Sequence, residues 1–266
     1  MNVKGKPVLE VRDLSIHFGG VQALRSVSLT VMPETIVGLI GPNGAGKTTL
    51  FNCISGFYRP DSGTILFHGH DIGRLAPHRR ALLGMGRTFQ NVGLCKDQTV
   101  YENLVIAQHH SAVYPALAGM FGLGIGKIER DLATRADDLL ELVGLTSHRN
   151  HTINELSAGL MRIAELACIL SAQPTLLLLD EPAAGLSPEA TDRMREVLLR
   201  VQRERRVSIL MIGHVMRLVM GVANHVYVLN FGDLLAQGTP DEIRADAAVV
   251  EAYMGREAEQ PAGARR

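Results

Sequence analysis

The sequence predicts an α/β domain built on a mainly parallel sheet, and three observations carry that expectation. The run Thr35–Ile40 is short, apolar and β-branched like a buried strand, and the glycine-rich stretch Gly41–Thr49, GPNGAGKTT, follows it directly. Beyond that loop, TTLFNCIS places Leu50, Phe51 and Ile54 on one helical face. Further on, apolar runs alternate with helical patterns, the order expected of parallel strands joined by crossover helices.

Taken in order, Val8–His17 and Ala23–Val31 alternate partly and read as two antiparallel strands around Phe18 and the Gly19-Gly20 pair. The strand to Ile40, the glycine loop and its helix follow, the helix ending near Gly56. Pro60-Asp61-Ser62-Gly63 signals a turn before a short strand at Thr64–Phe67, with another turn at His68–Gly69. His78–Leu83 reads as helical. Ala136, Leu139, Leu140 and Val143 keep i, i+3, i+4, i+7 spacing, and Gly144 is placed to end that helix. A helix is expected from Ser157 to about Leu170, then a buried parallel strand at Thr175–Leu179. Ser187-Pro188-Glu189 supplies an N-cap, a first-turn proline and an acidic first turn; Met194, Val197, Leu198 and Val201 form the buried stripe that follows. Strands at Val207–Ile212 and His225–Leu229 come next, and Thr239-Pro240-Asp241-Glu242 forms a capping box for the last helix. Gly255–Arg266 reads as a frayed tail.

Composition narrows the class. The 266 residues are 46% hydrophobic, enough for a substantial core, and 27 Lys+Arg balance 27 Asp+Glu. That balance argues against a nucleic-acid partner, which would want a basic face. Cys53, Cys95 and Cys168 are widely spaced and form no C-x-x-C, so neither a disulfide framework nor a zinc site is indicated. The start, MNVKGKPVLEVRDL, lacks the apolar centre of a signal peptide, which points to a cytosolic setting. From Asn103 to Gly126 there is no Asp, Glu, Lys or Arg. The stretch includes Gln108, His109, His110, Pro115 and four glycines, so it reads as a mobile loop or partner-facing surface rather than a span of about 20 apolar residues.

The chemistry concentrates at the glycine loop. Gly41, Gly46, Lys47 and Thr48 fit G-x-x-x-x-G-K-[ST], the phosphate-binding Walker A pattern, here flanked by the strand and helix that the motif requires. Gly41, Pro42, Asn43, Gly44, Ala45, Gly46, Lys47, Thr48 and Thr49 make up the nucleotide-binding candidate, in which Gly44 and Gly46 let backbone N–H groups approach phosphate oxygens, aided by the positive end of the helix. Lys47 is suited to the β- and γ-phosphates and Thr48 to Mg²⁺. Asp180 ends an apolar strand as a second Mg²⁺ candidate, and Glu181 beside it could polarise an attacking water. An Asp-Glu pair after a strand would by itself also describe a solvated loop; its pairing with Walker A favours the metal reading.

Gln90, the LSAGL stretch at Leu156–Leu160, LLLLDEP at Leu176–Pro182 and His214 after a strand occur in the order found in ABC-transporter ATPase subunits. The resemblance runs from Val8 to about Gly255 and is very specific. FGGVQAL, GRTFQN, TVYENL, LDEPAAGLSP and the ending GTPDEI…VEAYMG look most like the ATP-binding subunits of branched-chain amino acid importers, with subunits of urea, amide and lipopolysaccharide transporters similar too. A soluble ABC ATPase acting outside transport is the remaining alternative.

What the resemblance implies is a P-loop NTPase core with an N-terminal antiparallel β part and an inserted helical subdomain at 91–172. It implies one ABC ATPase domain over 1–255 and a flexible tail at 256–266. ATP would be the substrate and Mg²⁺ the cofactor. Phe18 matches the aromatic that stacks on adenine, an ordinary core phenylalanine being the alternative. Gln90 resembles the glutamine that touches Mg²⁺ and senses the γ-phosphate. Ser157 and Gly159 resemble the signature that reaches the γ-phosphate held by another subunit; Ser157 alone would read as a cap. Glu181 and His214 match the catalytic pair. Implied partners are a second ATPase subunit, as a homo- or heterodimer, integral membrane permease subunits and an extracytoplasmic solute-binding protein. The implied place is the cytoplasmic face of the membrane.

Several positions depart from the family pattern. Leu160 and Met161 replace the usual Gln and polar residue of the signature, and Cys168 stands where arginine is common. Gly213 and Val215 replace acidic neighbours of the histidine, and Ser187 stands where Asn or Asp is usual. A heterodimer whose two sites turn over unequally is the hypothesis these changes suggest.

Overall fold

The computed structural model describes residues 5–88, 93–108 and 125–254. Among these, β1 (Leu9–Phe18), β2 (Val21–Val31), β4 (Ser62–Phe67) and β5 (His70–Asp71) form an antiparallel sheet in the order β2-β1-β4-β5. A second sheet has the order β10-β9-β3-β8-β7-β6. It comprises β3 (Ile36–Ile40), β6 (Met85–Arg87), β7 (Leu176–Asp180), β8 (Ser208–Ile212), β9 (His225–Asn230) and β10 (Asp233–Gly238). All its pairings are parallel except β9 with β10.

The apolar runs of the parallel strands are continuous because both faces are covered. Side-chain alternation divides each strand between two cores. Leu177 and Leu179 of β7, with Ile209 and Met211 of β8, join the helices on one face. Leu176, Leu178, Leu210 and Ile212 join the antiparallel sheet on the other, where they meet α1 (Lys47–Ser55) through Leu50, Phe51 and Ile54. A methyl group on Gly38 of β3 would stand 2.5 Å from Val219 in α7 (Met216–Val222), so the absence of a side chain lets that helix seat on the strand.

The helical part holds α3 (Val100–Gln108), α4 (Ile125–Val143) and α5 (Ala158–Leu170). The expected stripe of α4 is buried at Ala136, Leu139, Leu140 and Val143, and Gly144 follows with a left-handed φ of 72°. Ser157 is the N-cap of α5, its hydroxyl accepting from Leu160 N–H at 3.4 Å. Ser187 caps α6 (Pro188–Arg205) in the same way. Thr239 and Glu242 complete the capping box of α8 (Pro240–Ala245), which leads to α9 (Ala247–Met254).

The loop expected from Asn103 onward needs correction. Asn103–Gln108 belongs to α3, with Asn103 and Leu104 buried. Asn103 accepts from Cys95 N–H and donates to the carbonyls of Cys95 and Thr99. A stretch without charges can thus be helical when its polar residues are satisfied internally. Residues 109–124 and the tail from 255 lie outside the described residues. Short α2 (Pro77–Leu82) starts one residue earlier than expected. The three-residue β6 and the edge strand β10 were not foreseen.

Candidate functional site

The phosphate loop is held where three segments meet. Gly41 leaves β3 with φ 150°, and a Cβ there would fall 2.1 Å from the Leu229 carbonyl of β9. Gly46, at the N-terminus of α1, has φ 100°, and a Cβ would lie 2.7 Å from the Ala23 carbonyl. Both positions exclude a side chain on backbone geometry and on space. Lys47 is buried, and its ammonium donates to the carbonyls of Gly41 at 2.6 Å and Pro42 at 2.9 Å. Those contacts fold the side chain back over the loop, next to where phosphate oxygens could displace the carbonyls.

A cleft of about 330 Å³ opens over the loop, lined by Asn43–Thr49, Val21–Ala23, Glu181 and Phe231. Within the loop Pro42 is buried and Thr48 is exposed. Phe18 ends β1 beside the rim, 45% exposed and therefore no core residue. Its partner across the hairpin, Val21, lines the cleft, while the Phe18 ring packs edge-on against Tyr58 with centroids 5.2 Å apart.

At the C-terminal ends of β7 and β8 the acidic and imidazole groups converge. Parallel pairing sets Asp180 beside Ile212, and Glu181 N–H donates to the Ile212 carbonyl at 3.0 Å. Glu181 has φ 50°, a conformation unusual for a residue with a Cβ, which turns its carboxylate towards the cleft instead of along the strand. His214 Nδ1 lies 3.3 Å from Glu181 Oε1. The pair thus brings an acceptor and a ring nitrogen together at one edge of the cleft.

Asp180 is held by groups that motif reading left unassigned. Its N–H donates to Thr88 Oγ1 at 2.9 Å, and its carboxylate lies 3.6 Å from Arg87 Nη2. Burial pushes the Asp180 carboxyl above its usual range, and Arg87 pulls it back. Arg87 also bonds Ser55 Oγ and the Phe51 carbonyl of α1, and stacks over Phe57 at 5.4 Å. One guanidinium thereby joins the acidic strand end to the helix behind the phosphate loop. The sequence clue was its place three residues before Gln90, on a strand too short to recognise.

The other candidates divide. Gln90 lies outside the described residues. Ser157 and Gly159 open α5 beside α6, where a Cβ on Gly159 would meet Ala190 at 2.9 Å, and neither lines the cleft. One chain thus brings together Lys47, Thr48, Asp180, Glu181 and His214 but leaves the signature apart.

This arrangement can be set beside known proteins. Residues 24–184 match the family model described as ABC transporter, and residues 234–259 match the one described as branched-chain amino acid ATP-binding cassette transporter. The high-affinity branched-chain amino acid transport ATP-binding protein BraF of Pseudomonas aeruginosa is 43% identical over 94% of this chain and 98% of its own. LivG of Escherichia coli K12, a protein of the same description, is 41% identical over the same shares. The lipopolysaccharide export system ATP-binding protein LptB of Haemophilus influenzae is 32% identical over 94% of this chain and 98% of its own. Among solved structures, the ADP conformation of MJ1267, an ATP-binding cassette of an ABC transporter, aligns with TM-score 0.81 and 29% identity over 94% of this chain and all of that one. A strand–loop–helix phosphate cradle, an acidic strand end beside it and relatives matched along almost their whole length lead to one conclusion: the chain belongs to the ABC transporter family and is an ATP-binding, ATP-hydrolysing cassette.

Proposed function

We propose that this chain energises a membrane importer of branched-chain or related amino acids. It would hydrolyse ATP between its own phosphate loop and the signature of a second ATPase subunit. The observation that carries the mechanism is the cleft containing Lys47, Thr48 and Glu181, with His214 at Glu181 and the signature elsewhere. That division makes a site one chain leaves incomplete.

In this reading the backbone N–H groups of Asn43–Thr49 and the Lys47 ammonium hold the triphosphate. The Thr48 hydroxyl and Asp180 carboxylate, joined by Gln90, would hold Mg²⁺. They fit a hard cation, being oxygen donors on adjoining elements, with Arg87 and Thr88 holding the carboxylate's strand end. When bound, the ion supplies charge neutralisation at the phosphates. Glu181 accepts a proton from, or orients, the attacking water, and His214 positions Glu181 and the γ-phosphate end. Phe18 stacks on the base. Ser157 and Gly159 of one subunit contact the γ-phosphate held by the other, so binding closes the dimer and hydrolysis reopens it. The helical subdomain at 91–172 and the Gln90 loop pass that motion to the permease.

The amino-acid assignment rests on the 43% and 41% identities and on the C-terminal match at residues 234–259. The full system would include permease subunits and an extracytoplasmic solute-binding protein, with this chain peripheral on the inner face of the membrane. No helix among the described residues is long and apolar enough to cross a membrane. Reconstitution with its permease and binding protein tests the reading. Leucine, isoleucine or valine should stimulate ATP hydrolysis and Lys47→Ala should abolish it; stimulation only by urea, an amide or lipopolysaccharide would replace the solute assignment.

We further propose a heterodimer, because Leu160 and Met161 alter the signature this chain offers. Glu181→Gln introduced in this subunit alone should then stop one site and leave measurable turnover at the other. A symmetric homodimer with equal sites would dismiss the idea.

A further inference from the structure

The hairpin between β9 and β10 carries an exposed aromatic in a left-handed backbone conformation. Asn230 pairs with Asp233, so Phe231 and Gly232 alone make the turn. Both have positive φ, 45° and 85°, the pattern of the two-residue turns that favour Asn, Asp or Gly at the first central position. A phenylalanine there crowds its own backbone. Its side chain is also 62% exposed. Such an outlier directs attention to function.

The turn is fastened to the phosphate loop. Gly232 N–H donates to the Ala45 carbonyl at 3.1 Å, and Arg25 N–H to the Gly232 carbonyl at 2.8 Å. The Arg25 guanidinium donates to the Phe231 carbonyl at 2.9 Å and pairs with Asp233 at 2.7 Å. A Cβ on Gly232 would approach the Ala23 carbonyl to 2.8 Å, so the close seating requires glycine. With its backbone fixed this way, Phe231 lines the same cleft as Val21, Asn43 and Gly44.

We propose that Phe231, with Val21, is an apolar wall for the base and ribose of the nucleotide whose phosphates rest on Gly41–Thr49. It would be a nucleotide-contacting residue supplied by the C-terminal part of the chain. An aromatic face suits a flat base, and an exposed valine suits the sugar's apolar edge. The inference rests on the assignment of this loop as the ATP site.

Calorimetric titration of the full chain with ATP, ADP and inorganic tripolyphosphate separates the possibilities. Phe231→Ala should weaken ATP and ADP binding about 10-fold, or about 1.4 kcal/mol, while tripolyphosphate binding stays unchanged. Phe231→Tyr should bind like the native chain. Phe231→Asn, which the turn favours, should show the same nucleotide loss without a lower melting temperature. The chain has no tryptophan, so Phe231→Trp provides a single reporter. Its emission should respond to ATP and not to tripolyphosphate. Unchanged ATP affinity in Phe231→Ala overturns the proposal, as does an equal loss for tripolyphosphate, which would make the residue a brace for the loop. Lys47→Ala is the control for the site itself. If that variant still binds ATP normally, the loop assignment fails; if it loses ATP while Phe231→Ala keeps it, only the Phe231 inference falls.

Discussion

Arg80 offers the sharpest test of how the phosphate-loop helix is supported. It is 1% exposed, yet its hydrogen bonds among the described residues all go to carbonyls. Nη1 donates to Cys53 at 2.7 Å and Ile54 at 2.6 Å in the last turn of α1, Nε to Leu75 at 2.9 Å, and Nη2 to Gly73 at 3.3 Å. The cation thus meets the negative end of the helix whose other end begins at Lys47. Arg80→Ala strips the two helix carbonyls of charged donors, each worth about 1.5–3 kcal/mol. It also leaves a void where the aliphatic stem packed. Relief of the guanidinium's burial, which lowers its pKa, offsets part of that loss. A net cost of about 3 kcal/mol corresponds to a melting temperature lower by about 6–12 °C for a chain of this size. Thermal unfolding followed by circular dichroism measures it. Arg80→Lys should fall between, since one ammonium cannot span the same set of carbonyls. A melting temperature for Arg80→Ala within about 2 °C of the native value would refute this account.

Other expectations follow from the same structure. Burial pushes the Cys53 and Cys168 thiols up to about 12, while Cys95 is exposed, so a thiol reagent should modify Cys95 fast, half-buried Cys168 more slowly and buried Cys53 only on unfolding; three equally fast thiols would contradict the packing. Glu102, Glu155 and Glu242 accept backbone N–H bonds from Thr99, Thr152 and Thr239 at 2.7, 2.6 and 2.7 Å, which hold each carboxyl below its usual 4.5. Because the folded values are depressed, this stability is present above about pH 4.5 and is lost as pH falls through the folded values. The triple Glu→Gln variant should lose less stability than the native chain over that acid range, and parallel melting curves against pH would count against it. Gly46→Ala would force a Cβ to 2.7 Å from the Ala23 carbonyl at φ 100°. Titration should show ATP binding weakened by about 10-fold or more, equivalent to about 1.4 kcal/mol of strain on the loop, and native affinity would show that the loop relaxes freely.

Local chemistry explains why much of this was legible in advance. GPNGAGKTT after an apolar strand announces its own loop and helix, because lysine and glycine at that spacing serve backbone and phosphate together. Ser187-Pro188-Glu189 and Thr239-Pro240-Asp241-Glu242 announced helix starts for an equally local reason. The uncharged stretch from Asn103 misled because the partners that make α3 helical, among them Cys95 and its neighbours, are fixed only when the chain folds back. β6 escaped notice because its three residues become a strand only by pairing with β7.

The sequence by itself determined that a strand, a phosphate loop and an acidic strand end share one α/β domain, since each is written in contiguous residues with their own periodicity. Tertiary structure alone decided which distant groups meet there. Parallel pairing of β7 with β8 puts Glu181 against His214, the Arg87 guanidinium bridges Asp180 to α1, and a glycine turn from the far end of the chain carries Phe231 to the cleft. These contacts depend on register and close approach between separate segments, and no local pattern encodes either.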